Sequence, residues 1–380
     1  MNNIFKYATG ELSQDAFICW FFNWFNEGDN PRLKQLVCDF CNHKLGVQAL
    51  SSVDIYRQYS RKVEKDNISF SVKIDVLIIL NKNIAVIIED KTFTSEHSNQ
   101  IIRYEEGLKM LQNQYDDGKL RIEDSAYNIT KIISVYWKTG FFYDYDKCVK
   151  ADSIITANDL LELFSEFREE SILIDMYVQK LLDDMSWYEE HSVYWDFDNK
   201  NGDKDMWNTN LCRNQIAQYT LMKEIFPDEE YWKGGDLYYV YHGSSFGRPW
   251  TEMSVYCDKR SEDVDGDKRF EIFWRIDTDN NGSYISLRLY KHIKGRWDAK
   301  YDDIREHVRD FIKEDASFSW DDIDPGMKNA FKEADIAHFT IKREKWEENS
   351  EHVKSIIRAM TKDIVKFAIK NYGHNVYEMV

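Results

Sequence analysis

The first 187 residues alternate between apolar runs and short polar breaks, and the length and spacing of each run predict its secondary structure. The run SQDAFICWFFNWFN at 13–26 is longer than a strand and predicts a buried helix capped by Ser13. Helical spacing predicts further helices at about 31–45 and 96–113, and two within 156–186. Runs rich in Val and Ile predict strands at 52–62, 68–80, 84–91 and 130–137. The order predicts an α/β domain with a mixed central sheet flanked by helices.

The pattern changes after residue 187. Residues 188–205 are polar, acidic and rich in turn residues, so we predict a linker there between a domain at 1–187 and an accessory domain at 206–380. Alternating runs separated by polar turns predict antiparallel strands near 236–242, 251–257, 269–277 and 283–290. Helices are predicted at about 206–225, 300–314, 326–334 and 350–371. The second part is therefore expected to be an α+β domain with an antiparallel sheet, and its role is open.

Composition and charge narrow the class of protein. The chain is 43% hydrophobic and 31% charged, which is typical of a globular protein. It has neither an apolar run of the ~20 residues that cross a bilayer nor a signal-peptide pattern, so we expect a cytoplasmic protein with no membrane partner. Six scattered cysteines are expected to be free thiols.

The net charge of −17 argues against broad, non-specific binding of nucleic acid. The excess is uneven, however: residues 1–150 hold 19 basic and 20 acidic side chains, whereas residues 151–200 hold 3 and 13. An acidic protein of this kind can still bind nucleic acid through a local groove.

Three charged residues interrupt two very apolar strands. Asp75 lies in one strand, and Glu89 and Lys91 lie in the next, two residues apart and so on one face, whereas Asp90 points away. Carboxylate oxygens suit Mg²⁺, and a nearby lysine can orient water and balance charge on a phosphate. The pattern predicts a metal-dependent site for phosphodiester hydrolysis, and the alternative is a solvated Glu–Lys pair at a strand end.

This arrangement resembles the PD-(D/E)XK nuclease superfamily, of the restriction-endonuclease-like type, over about residues 8–186. Glu11 lies where many members carry an acidic residue on the first helix, and Gln100 and Tyr104 match a Q-x-x-x-Y pattern after the motif. Ile74 stands in place of the name-giving proline.

The resemblance implies particular roles for these residues. Asp75 and Glu89, with a backbone carbonyl near Asp90, would hold Mg²⁺ (Mn²⁺ as an alternative), and Lys91 would position and activate water. Glu11 would support a ligand water or a second metal ion. Gln100 and Tyr104 would contact a phosphate or shape the site, or else simply pack on the sheet.

The expected function is a metal-dependent nuclease acting on DNA, in bacterial defence or DNA processing by family analogy. Many members of the superfamily work as homodimers, and the sequence leaves the oligomeric state of this chain open. One alternative is a catalytically silent nuclease fold that binds nucleic acid. Another is a protein-interaction module that uses the acidic stretch at 151–200. The P-loop and the G-x-G-x-x-G motif are missing from the sequence.

Two further patterns are interpreted as structural. Cys38, Cys41 and His43 lie on a helical apolar pattern without a second pair of ligands, so core cysteines are expected rather than zinc. The run from Asp277 to Gly282 begins like a calcium loop but has Arg288 where the last ligand is needed, so a hairpin turn is expected.

Overall fold

The computed structural model divides into two compact units, Met1–Trp187 and Tyr188–Val380, and each is described by itself. The structure describes residues 3–8, 10–27, 29–65, 68–92, 96, 99–192, 207–227, 240–245, 248–257, 270–279, 282–291, 299–314, 323–324, 333–341 and 343–373. Within these ranges, no helix is both long enough and apolar enough to cross a membrane.

The first unit contains five helices and seven strands within the described ranges. In chain order they are α1 (Glu11–Asn23), α2 (Pro31–Leu45), β1 (Val53–Lys65), β2 (Ile68–Leu80), β3 (Ile84–Lys91), α3 (Gln100–Asn113), β4 (Leu120–Ile122), β5 (Ser125–Tyr127), β6 (Lys131–Lys138), β7 (Ser153–Thr156), α4 (Ala157–Phe164) and α5 (Ile172–Ser192).

Five of these strands form a mixed sheet in the order β1-β2-β3-β6-β7. β1, β2 and β3 pair antiparallel through tight connections, whereas β3, β6 and β7 pair parallel across the crossovers that contain α3 and the segment after β6. β3 lies in the centre, and its residues from Ala85 to Lys91 are all buried, as its continuous apolar sequence predicts. The predicted mixed sheet is confirmed.

Helices cover both faces of this sheet. One face packs against α1, α2, α4 and α5 and includes Val76, Val86 and Ile88. The other face packs against α3 and includes Leu77 and Ile87. Since successive residues of a strand point to opposite faces, β3 alternates between the two cores, and this alternation fixes where its last charged residues point.

Local signals set the ends of α2. The Asn30 side chain accepts hydrogen bonds from the backbone N–H groups of Arg32 and Leu33, and Pro31 occupies the first turn. Gly46 ends the helix with φ 67°, a left-handed conformation that glycine adopts without strain. Cys41 is fully buried on this helix, and burial raises the pKa of its thiol to about 12, so the core interpretation of this cysteine is confirmed.

The second unit combines an antiparallel sheet with helices. Its described elements are α6 (Trp207–Ile225), β8 (Val240–Ser245), β9 (Arg248–Cys257), β10 (Phe270–Asp279), β11 (Gly282–Lys291), α7 (Ala299–Glu314), β12 (Ile323–Asp324), β13 (Glu333–Ile341) and α8 (Arg343–Tyr372). The strands are ordered β12-β13-β11-β10-β9-β8, and all pairs are antiparallel. The expected α+β architecture is confirmed.

The hairpin interpretation of Asp277–Gly282 is also confirmed. β10 and β11 pair through Asp279 and Gly282, and the Asp277 carboxylate accepts a hydrogen bond from Arg288 at 2.8 Å. The arginine that occupies the last position of the calcium pattern therefore forms an ion pair with the aspartate at its first position.

Some boundaries differ from the sequence predictions. Residues 333–334 of the helix predicted at 326–334 begin strand β13, and residues 326–332 lie outside the described residues. Residues 188–192 of the predicted linker continue α5, and 193–205 lie outside the described residues. α3 begins at Gln100 rather than near 96, and its predicted cap, Ser95, is also outside them.

Candidate active site

The site begins where β2 and β3 separate. Their ladder ends at the pair Val76 and Ile88, so Asp75 lies one residue beyond the last pair. Its carboxylate replaces the missing ladder bond by accepting the backbone N–H of Asp90 at 3.1 Å. A side chain therefore bridges the two strands at the point where their ladder ends.

Glu89 and Lys91 lie opposite Asp75 on the α3 face of the sheet, the face shared by Ala85 and Ile87. Glu89 is 1% exposed and Lys91 is 6% exposed. The Lys91 ammonium donates a hydrogen bond to the Glu89 carboxylate and another, at 3.2 Å, to the Asp90 carbonyl. The structure therefore brings Asp75, Glu89, Lys91 and a backbone carbonyl together at one point.

The Asp90 side chain points to the opposite face, as strand alternation requires. It is fully buried, and its carboxylate accepts a hydrogen bond from the Gln14 amide of α1. Gln14 in turn accepts a hydrogen bond from the Thr139 hydroxyl at 2.6 Å. Only the backbone of Asp90 faces the site, while its side chain ties β3 to α1.

Helix α1 brings two acidic residues to the site. Glu11, at its first turn, accepts a hydrogen bond from the Thr92 N–H at 3.4 Å, just past the end of β3. Asp15, one turn later, is 1% exposed and accepts a hydrogen bond from the Gln58 amide of β1 at 2.7 Å. Neither Asp15 nor Gln58 was among the residues predicted from sequence.

Gln100 and Tyr104 lie at the start of α3. The Gln100 amide donates to the Tyr104 hydroxyl at 3.1 Å, so the two form a pair along one helix face. Tyr104 is 8% exposed and packs in the apolar cluster on that side of the sheet. Burial, and secondly the Glu89 carboxylate, raise the pKa of its hydroxyl.

The buried charged side chains at the site shift one another's pKa values. Burial raises the pKa of Glu89 to about 7, Lys91 opposes that rise, and Asp75 adds to it. Burial also raises the pKa of Asp75, and it raises that of the fully buried Asp90 well above the usual range. Burial alone would lower the pKa of Lys91, but Glu89 and Glu11 raise it overall, so Lys91 is an ammonium donor at neutral pH.

The oxygen atoms at the site are of the kind that bind a divalent metal ion such as Mg²⁺. Among the described residues, no group of three or more His, Cys, Asp and Glu side chains is arranged to hold a metal. A magnesium site does not need three, because Mg²⁺ keeps several waters and takes one or two carboxylates. One Glu89 carboxylate oxygen is buried without a hydrogen-bond partner within the described part of the chain. Asp75, this oxygen and the Asp90 carbonyl therefore fit such an ion.

Comparison with known proteins agrees with this geometry. Residues 2–133 match the family model described as the PD-(D/E)XK nuclease superfamily, a span that includes Glu11, Asp75, Glu89, Lys91 and the Gln100–Tyr104 pair. No curated protein and no solved structure gave a significant match. The first unit thus has the nuclease fold of this superfamily, and the resemblance inferred from the motif is confirmed. Its members are generally nucleases that bind nucleic acid and typically use divalent metal ions.

Proposed function

We propose that the protein is a metal-dependent nuclease that hydrolyses phosphodiester bonds, with DNA as its substrate and Mg²⁺ as its ion. One observation carries the proposal: Asp75, Glu89 and Lys91 converge where β2 and β3 separate. Burying several charges there is costly, and the cost is understandable if a cation and a phosphate complete the site.

Each residue has a distinct proposed role. Asp75, Glu89 and the Asp90 carbonyl would hold Mg²⁺ or Mn²⁺, which would polarise a phosphate oxygen and lower the pKa of a water molecule. The Lys91 ammonium orients the attacking water by hydrogen bonding and offsets negative charge on the phosphate as the P–O bond breaks. Glu11 accepts a hydrogen bond from a water of the site.

The Gln100 amide and the Tyr104 hydroxyl supply neutral contacts to a neighbouring phosphate. The Gln100 carbonyl oxygen is buried without a partner among the described residues, which leaves it able to accept a hydrogen bond from a water or a sugar hydroxyl.

A basic strand face next to the site supports nucleic acid as the substrate. Beyond Asp75, β1 and β2 continue as a hairpin in which Ser60 lies opposite Lys73 and Lys62 lies opposite Ser71. These four residues are exposed and share one face. Residues 59–63 and 71–74 contain three basic and no acidic side chains, and Glu64 follows Lys62 on the same strand alternation. Lysine and serine side chains are common phosphate contacts.

A second candidate is a nuclease fold that binds nucleic acid or protein without cutting. The Lys91–Glu89 ion pair favours it, because one oxygen of the Glu89 carboxylate is already bonded to a lysine. The net charge of −17 favours it too. The nuclease is preferred because a silent fold would have no need to keep Asp75, Glu89 and Lys91 buried together.

A cleavage assay tests the proposal. Full-length protein is incubated with plasmid, linear and single-stranded DNA and with RNA, in Mg²⁺, Mn²⁺ or EDTA. We expect metal-dependent cutting that Lys91→Ala lowers by at least about 100-fold, since preorganised charge stabilisation of this kind supplies that much. Circular dichroism and thermal unfolding check that the variant folds.

The matched control is Lys131→Ala, since Lys131 is an exposed lysine at the opposite end of the same sheet, where β3 and β6 begin. It should cut at the wild-type rate. Cutting by Lys91→Ala at the wild-type rate would show that the site is assigned wrongly, and metal binding without cutting on any substrate would favour the second candidate.

The cellular setting is also a proposal. By family analogy alone, we propose a role in bacterial defence or DNA processing, in the cytoplasm and with a homodimer as the working assembly. The second unit would then choose the substrate or sense a signal.

A further inference from the structure

Gln58 adopts an unusual backbone conformation in the middle of β1. Its φ is 51°, in the left-handed region that residues other than glycine rarely enter. A conformation of this kind costs about 1–3 kcal/mol and persists only where the surroundings impose it. The Gln58 side chain is exposed, so burial of its own surface does not offset the cost.

The strain coincides with a break in the sheet. β1 and β2 pair at Arg57 with Val76 and again at Tyr59 with Ile74, but the intervening positions, Gln58 and Asp75, do not pair. In a regular strand, residues three positions apart point to opposite faces. Tyr56 and Tyr59 nevertheless contact the same apolar cluster, so the alternation of side chains is reversed at Gln58. Asp75 therefore has no paired residue on β1, and it has none on β3 either, because the β2–β3 pairing ends at Val76.

The Gln58 amide joins two carboxylates across this break. It donates to Asp15 of α1 at 2.7 Å and to Asp75 at 3.4 Å. The Asp75 oxygen that it contacts is not the one that accepts the Asp90 N–H. The Asp75 carboxylate is thus held through both oxygens, one by a main-chain donor and one by a side chain that is itself anchored on Asp15.

We propose that Gln58 is a positioning residue, which fixes the orientation of the Asp75 carboxylate by bridging it to Asp15. The inference rests on the proposed function, since it gives Asp75 a metal-binding role. A neutral amide suits this position, because it supplies N–H donors without a charge. A lysine or arginine there would pair with Asp75 and compete with the cation.

The test measures Mn²⁺ binding to the full-length protein by isothermal titration calorimetry and by the electron paramagnetic resonance signal of free Mn²⁺. Gln58→Gly is the informative variant, since glycine adopts a φ of 51° without strain but carries no amide. We expect the dissociation constant for Mn²⁺ to rise about 10–100-fold, as is typical when the hydrogen-bond partner of a metal ligand is removed. The kcat of cleavage should fall similarly, with KM for nucleic acid little changed.

Asp15 supplies the second comparison. Asp15→Asn keeps an oxygen that can accept from Gln58 and should retain most of the Mn²⁺ affinity, whereas Asp15→Ala removes the anchor and should resemble Gln58→Gly. Combining Asp15→Ala with Gln58→Gly should cost little more than either change alone, because both disrupt one bridge.

The outcomes separate this inference from the proposed function. Asp75→Asn should abolish Mn²⁺ binding if the site is assigned correctly. If it does so while Gln58→Gly binds Mn²⁺ and turns over like the wild type, the glutamine serves only the backbone and the bridge is refuted. If Asp75→Asn leaves Mn²⁺ binding intact, the metal site itself is misplaced.

Discussion

Asp15 is a buried acidic residue next to the proposed metal ligands, and its pKa reflects both its burial and their charge. It is almost fully buried, and one of its carboxylate oxygens has no hydrogen-bond partner among the described residues. Burial and then Asp75 raise its pKa to about 6, with a smaller rise from Glu11, while Gln58 and Arg57 oppose them. Because the ordinary value is 3.8, the folded state holds a proton on Asp15 between pH 4 and 6 that the unfolded chain releases.

We therefore expect Asp15→Asn to stabilise the protein in a pH-dependent way. Above pH 6 the wild type must ionise a buried carboxyl, and removing that cost should add about 1–3 kcal/mol to the free energy of unfolding. The gain should shrink as the pH falls from 6 and vanish near 4, where Asp15 is protonated in both states. Urea unfolding at pH 8, 6 and 4.5 measures it.

The control for that series is Asp116→Asn, since Asp116 is exposed. It should change stability by no more than about 0.5 kcal/mol at any pH. An Asp15→Asn effect of the same size at pH 8 and 4.5 would mean that packing, not ionisation, explains it.

At the scale of single residues, the sequence predicted the charged residues of the proposed site better than the residues that contact and orient them. Asp75, Glu89 and Lys91 stand out because they interrupt apolar strands. Asp15 was within reach, since it follows Glu11 by four residues and so shares its helix face. Gln58 was not, because nothing in a sequence marks a glutamine that adopts a left-handed backbone opposite an aspartate.

The β1–β2 hairpin has an apolar side that packs in the core and an exposed side that carries lysines. Its inner side packs Tyr59, Val63, Val72 and Ile74 into the cluster that also holds α3. Its outer side presents Lys62 and Lys73, and Lys73 lies only two positions before Asp75, a distance of about 7 Å along a strand. A phosphate backbone that enters the site would thus meet this outer side first.

We predict that Lys73→Glu weakens nucleic-acid binding and lowers its salt dependence. Each phosphate contact contributes about one unit to the slope of log affinity against log salt, so the slope should fall by about one. Fluorescence anisotropy with labelled DNA measures this in a Lys91→Ala background, which removes the complication of cutting. Mn²⁺ affinity should not fall, because the change places a negative charge nearer to the cation.

Lys131→Glu provides the matched charge reversal, at the far end of the sheet. It should leave the slope as it is. Equal effects of the two reversals would indicate that only net charge matters and that the hairpin is not the binding face.

At the scale of elements, the long and strongly patterned segments were predictable. The predicted bounds of β2 and β3 coincide with those observed, because β2 alternates strictly before its apolar run VLIIL and β3 is nearly continuous in apolar residues. β7 was missed, since four residues are too few to show a period. β13 was also missed, and its mixed sequence EADIAHFTI forms a strand through pairing with β11, a contact between distant parts of the chain.

The arrangement of the whole molecule places the proposed chemistry in one unit. The two apolar clusters on the sheet of the first unit use residues between Phe5 and Met185, and the proposed site residues lie between Glu11 and Tyr104. Sequence predicted a boundary near residue 187 from a change in charge and turn content. It could not predict that α5 extends through Ser192, because the acidic residues at its end fit a solvated helix as well as a linker.

We predict that residues 1–192 fold alone and keep the metal site. Ending after Ser192 preserves α5, whose residues Ile174, Tyr177, Val178 and Leu181 close the core over α1. The truncated protein should therefore unfold in one cooperative thermal transition and bind Mn²⁺ within about twofold of the full chain.

If it aggregates, or if Mn²⁺ binding is lost, the first unit depends on the second for its structure. If it binds Mn²⁺ but no longer cuts a substrate that the full chain cuts, the second unit contributes to substrate engagement and not to the metal site. That result would assign the acidic second half of the protein a role in selecting what reaches Asp75 and Lys91.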